Sequence, residues 1–205
     1  MIYLKKFKRT PVSWFILFLG YNFFNEMVAG AYYISGLGNN NTIFYNVHQV
    51  IYISSYFSLF YYSISWKSFR MALFLFYITW LVSFVYLLCT TDLILEYALL
   101  SSLLGDFLIM ISVLFVLVEI IYSARVSEEK DNILIYLGLG LLIYLVVNIP
   151  TSVTTFLGWA KIGGDTGPRM EFYKILRDVG TFTGALMYFI FAYGFYKAKP
   201  QEVKS

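Results

Sequence analysis

The sequence predicts an all-α integral membrane protein: a bundle of six transmembrane helices with both termini on the cytoplasmic side. Three observations predict it. Of 205 residues, 60% are hydrophobic and only 13% charged, against about 25% charged in a soluble domain. A mean hydropathy of +0.70 would expose apolar patches that water does not tolerate, so lipid is the solvent that suits the chain. The apolar residues also fall into six runs, each long enough to span a hydrocarbon core of about 30 Å. Finally, lysines and arginines alternate between the connecting segments, as the positive-inside rule requires.

The first run, residues 11–34, follows the basic cluster Lys5, Lys6, Lys8 and Arg9. It is longer than the roughly 7–15-residue core of a secretory signal peptide, so it reads as a retained span despite the cleavage-like Ala29-Gly30-Ala31. The later runs are residues 43–64, 69–89, 99–122, 133–155 and 175–196. Together they form a single polytopic membrane domain over residues 1–205, with no room for a separate soluble one. Pro150 lies inside the fifth run, where it removes a backbone donor and predicts a kink near Val146–Pro150. In the sixth, Gly180-xxx-Gly184 allows another helix to approach closely, either within the monomer or between copies.

Orientation follows from the cations. With the N-terminus inside, the cytoplasmic segments hold Lys5, Lys6, Lys8, Arg9, Lys67, Arg70, Arg125, Lys130, Lys197, Lys199 and Lys204, which is 11 of the 15 basic residues. The outer segments hold only Lys161, Arg169, Lys174 and Arg177. Six spans in the cell (plasma) membrane satisfy this pattern, and five or seven break it. Trp14, Trp66 and Trp159 near run ends fit the interfacial aromatic belt.

Ionisable groups at membrane depth cost about 2.5–3.5 kcal/mol each on insertion scales, so each needs a reason. At 1.5 Å per residue, Glu26 falls about 5 Å outward of its span's middle, His48 about 8 Å, Asp106 about 7 Å and Asn148 about 6 Å. Arg177 and Asp178 fall higher, near the outer surface. Asn22, Asn25, Glu26 and Ala29 share one stripe of the first helix, and His48, Tyr52, Ser55 and Tyr62 share one of the second. Tyr144, Asn148, Thr151 and Thr155 do the same on the fifth. Glu119, on nearly the opposite face from Asp106, reads as a solvated helix end able to pair with Arg125 or Lys130.

Two readings of this layer stand side by side. One is a ligand or ion pocket lined by Asn22, Asn25, Glu26, His48, Tyr52, Asp106, Asn148, Arg177 and Asp178, with Glu26 and His48 as its titratable centre. The other is a polar network that fixes helix register, its carboxylates held neutral by burial. The first predicts a transporter, channel or membrane sensor handling a small ligand, ion or proton. Two alternatives are a non-catalytic membrane subunit that docks a membrane or cytoplasmic protein partner, and a lipid-acting enzyme using Glu26, His48 and Asp106 as acid–base groups. One cysteine (Cys89) and one histidine (His48) exclude an intramolecular disulfide, cysteine metal clusters and multi-histidine metal sites. No motif names a cofactor, and the cations follow topology and form no patch for nucleic acid. The loop Gly158–Glu171 lacks the Gly-Lys-Ser/Thr of a phosphate-binding loop and reads as a flexible external loop. Ser127–Asn132 reads as a solvated turn.

Overall fold

A computed structural model describes residues 2–8, 10–36, 41–122, 132–157 and 168–198. Among these, 88% are helical and none is in a strand. A short helix, α1 (Ile2–Lys6), precedes six long ones: α2 (Pro11–Ile34), α3 (Thr42–Ser63), α4 (Lys67–Thr90), α5 (Leu99–Tyr122), α6 (Ile133–Phe156) and α7 (Pro168–Lys197). Four of them, α4 to α7, are long and apolar enough to cross a membrane. The helices α2 and α3 have the length of spans, but they carry Asn22, Asn25, Glu26, Asn46, His48 and Gln49 and fall short of the same apolarity.

Five of the six long helices begin and end within two residues of the expected runs. The sixth begins earlier, at Pro168, because proline fits the first helical position, where its missing N–H costs nothing. Residues 168–171 are therefore helix and not external loop, while residues 158–167 lie outside the described residues. Two further features were not expected. Lys5 and Lys6 of the basic cluster lie in α1, whose continuation Phe7 is buried (1% exposed) and accepts the Thr10 hydroxyl at 2.8 Å. Asn132 is no solvated turn residue; it is 5% exposed and accepts the Leu134 amide at 3.0 Å, capping α6.

The chain divides into two compact units, one through Gly105 and one from Asp106, so the boundary falls within α5. In the first unit α3 presents Ile53, Tyr56, Phe57 and Phe60 as its buried face. Tyr56 meets Phe15 and Phe18 of α2 edge-on, at centroid distances of 5.1 and 5.8 Å, geometry that favours aromatic pairs. Phe57 meets Tyr77 of α4 at 5.7 Å. Gly105 of α5 lies so close to Ile53 and Trp80 that a Cβ there would overlap the isoleucine.

In the second unit Leu137, Leu141 and Leu145 are fully buried along α6, one residue per turn on one face. Two glycines flank that stripe. Gly138 faces Val113 and Leu117 of α5, and Gly140 faces Phe191 and the Met187 carbonyl of α7, which a Cβ at Gly140 would approach to 3.0–3.2 Å. Gly194 of α7 in turn sits against Tyr136 of α6. The close approach of α6 and α7 therefore uses Gly140 and Gly194. The Gly180-xxx-Gly184 pair contributes less: a Cβ at Gly184 would meet Tyr144 only at 3.7 Å, and one at Gly180 would meet nothing within 4 Å. Helix α6 runs through Pro150, which deprives the Val146 carbonyl of its donor. The Thr151 hydroxyl donates to the next carbonyl, Val147, at 2.9 Å.

Candidate functional site

The polar residues of the first unit form two groups because α3 turns two faces inward. One face, His48 and Tyr52, looks at α2. The imidazole is enclosed by Phe18 (6.3 Å, stacked), Tyr21 (5.9 Å, stacked) and Tyr52 (5.9 Å, tilted). Tyr21 also donates a long hydrogen bond to Asn25 Oδ1, at 3.4 Å. One aromatic side chain thus touches both Asn25 and His48. Asn25 is buried and Glu26 is exposed, so Asn25, with half-buried Asn22, is what the polar stripe of α2 turns inward.

The other face carries Asn46, Gln49 and Ile53, at the i, i+3, i+7 spacing of one helix side. Asn46 is 3% exposed and has its amide fully engaged. Its Nδ2 donates to the carbonyls of Leu93 (2.7 Å) and Glu96 (2.9 Å), and its Oδ1 accepts the Ala98 amide (2.9 Å). It therefore holds the segment before α5. Two turns along, Ile53 meets Gly105. Both contacts pair residues 52 apart, so α3 and the start of α5 run in parallel register and Gln49 lies level with Ser101–Ser102 between them.

Buried polar atoms without a hydrogen-bond partner concentrate in this unit: Asn25 Nδ2, His48 Nδ1, Gln49 Oε1 and Nε2, Trp80 Nε1 and Ser101 Oγ. Gln49, Trp80 and Ser101 are all at least 97% buried. Native interiors leave few such groups, because a buried unpaired amide or hydroxyl costs about 1–3 kcal/mol. All are neutral or weakly basic, and both donors and acceptors are present. Such a set suits a small polar solute or water and lacks the fixed charge of a tight cation site.

In the second unit two predicted residues meet. Asn148 follows the buried leucine stripe of α6 and donates to Asp106 Oδ2 at 2.9 Å, and Asp106 is 4% exposed. Glu119, expected to be solvated, is 9% exposed; Arg125 and Lys130 lie outside the described residues. Arg177 and Asp178 have side chains 63% and 75% exposed and face each other at 3.8 Å, a geometry of little energetic weight. Among the described residues no group of three or more His, Cys, Asp or Glu side chains could hold a metal ion.

Asn46, Gln49, Trp80 and Ser101 did not emerge from the sequence. The available signal was the pair of uncharged amides three residues apart, Asn46 and Gln49, continued by Ile53; the single histidine drew attention to the neighbouring stripe instead. Apolar helices of this length and number mark the chain as a multi-pass membrane protein. No protein-family model, curated protein or solved structure matches it.

Proposed function

We propose that this is a six-span protein of the cell membrane with both termini cytoplasmic, and that its outer half holds a polar pocket for a small ligand or ion, serving transport or sensing. The observation that carries this reading is the set of partnerless buried polar atoms on Asn25, His48, Gln49 and Ser101. Each is worth more with a hydrogen-bonding occupant than without one. The depths of Asn25, His48 and Gln49 agree to within about two helical turns. Asp106 and Asn148 supply a second buried polar pair, and Tyr52 is one of the rings around His48.

Six spans are supported by the lengths of α2 and α3, 24 and 22 residues, and by the alternation of cations along the sequence. Polar residues are tolerated in a span when they face protein, and Asn25, Asn46 and Gln49 are buried. Single cysteines introduced in a Cys89→Ser background test the topology. Ser35→Cys should react with an impermeant maleimide only from outside intact cells, and Ser65→Cys only after permeabilisation. The reverse pattern, or equal reactivity, would overturn the arrangement. The pocket is tested in proteoliposomes carrying dyes for protons, sodium or chloride, together with thermal melting against a panel of small polar solutes. At least one probe should give a response that His48→Ala and Gln49→Leu both abolish. A response indifferent to both substitutions would remove those residues from any pocket.

A further inference from the structure

We propose that the first unit holds one anionic phospholipid in a slot between α2 and α3, its phosphate at Lys5 and Lys8 and an acyl chain along the two helices. The inference rests on the reading that α2 and α3 lie in the bilayer, and it is independent of the polar pocket.

Two open cavities line up along this face. One, of about 670 Å³, runs between α2 and α3 from Pro11 to Tyr21. The other, of about 1070 Å³, shares Pro11, Trp14, Leu17 and Tyr62 with it and continues to Lys5 and Lys8. The shared residues make the two cavities one slot, apolar at one end and basic at the other. Trp14 and Tyr62 stand along it, 76% and 70% exposed. The ten residues from Pro11 to Tyr21 rise about 15 Å, half of a hydrocarbon core of about 30 Å, which is the depth of one leaflet.

Charge decides the occupant. The segment 1–105 carries six cations, Lys5, Lys6, Lys8, Arg9, Lys67 and Arg70, all within ten residues of the α1–α2 or α3–α4 junction. Its three carboxylates, Glu26, Asp92 and Glu96, lie elsewhere in the sequence. Arg70 is committed to the Ile64 carbonyl and the Tyr61 ring, and Lys6 lies over Phe7. Lys5 and Lys8 have no carboxylate partner among the described residues. Thr10 and Ser13, which line the same cavity as the two lysines, donate to the backbone carbonyls of Phe7 and Thr10. Ammonium groups bind phosphate as compact point charges.

The test uses the full-length chain in phosphatidylcholine vesicles with trace spin-labelled phosphatidylglycerol or phosphatidylcholine, and reads the motionally restricted fraction of each. The wild-type chain should restrict the anionic lipid more strongly. Lys5→Gln or Lys8→Gln should each cut that preference about fivefold, the equivalent of about 1 kcal/mol per cation at a charged surface. Ser58→Phe, at an exposed position on the slot wall, should lower the restricted fraction of both lipids. Equal restriction of the two lipids by the wild-type chain, or a preference that survives the double variant K5Q/K8Q, overturns the slot alone. Displacement of the anionic lipid by inorganic phosphate at matched ionic strength assigns the site to free phosphate and overturns it too. Restriction of neither lipid overturns the slot together with the bilayer placement of α2 and α3.

Discussion

Replacing Asn46 with alanine should destabilise the first unit by about 2–3 kcal/mol. The side chain makes three hydrogen bonds of 2.7–2.9 Å to the backbone of Leu93, Glu96 and Ala98. At the roughly 0.6 kcal/mol average measured for polar contacts within membrane proteins, three give about 1.8 kcal/mol. At the roughly 1 kcal/mol typical of soluble proteins they give about 3. Asn46 and Ala98 are both at most 3% exposed, so water cannot readily replace the lost partners. Asn46→Asp tests the mechanism more sharply. It keeps an acceptor for the Ala98 amide but sets a carboxylate oxygen against two carbonyls, so it should be no better than alanine despite its near-identical shape. Unfolding in mixed detergent micelles measures the energies. Hydrogen exchange should quicken first at Ile94–Ala98, a segment whose local turn at Asp92 does not by itself hold it to α3. An alanine variant within about 0.5 kcal/mol of wild type, with unchanged exchange there, would refute the reasoning.

Glycine substitutions should separate the true helix contact from the apparent one. Gly194→Ala places a Cβ 2.5 Å from Tyr136 Cβ and 2.9 Å from its Cγ, and should cost about 1–3 kcal/mol as overpacking. Gly180→Ala meets nothing within 4 Å, and should be neutral or gain up to about 1 kcal/mol of helix propensity; micelle unfolding reads both. Asn148→Leu should cost about 1–3 kcal/mol by leaving the Asp106 carboxyl without its amide donor, and Asp106→Asn should cost less because an amide oxygen can still accept the bond. Exchanging Arg177 for Gln or Asp178 for Asn should change stability by less than about 0.5 kcal/mol in the same assay.

The helices were legible in the sequence and their facing was not, and the bilayer explains both. In hydrocarbon each backbone group must be satisfied within its own segment, so span length and helix length coincide, as they do for α5. Facing is different. In water an amphipathic pattern marks the buried side, but a span is apolar on its lipid side as well. On α3 the lone histidine suggested the stripe His48, Tyr52, Ser55, Tyr62, yet Tyr62 is 70% exposed and the buried side is Asn46, Gln49, Ile53, Tyr56 and Phe60. The fully buried stripe is centred about 125° around the helix from the predicted one, a rotation that packing against Gly105 and Trp80 reveals. Glu26 and Asn25 show the same effect between adjacent positions, one exposed and one buried. The glycines complete the argument. Gly180-xxx-Gly184 has the spacing associated with helix contact, but Gly140 and Gly194, far apart in sequence, are where α6 and α7 approach closely. A spacing within one helix records how a face could pack; the partner's side chains decide which face does.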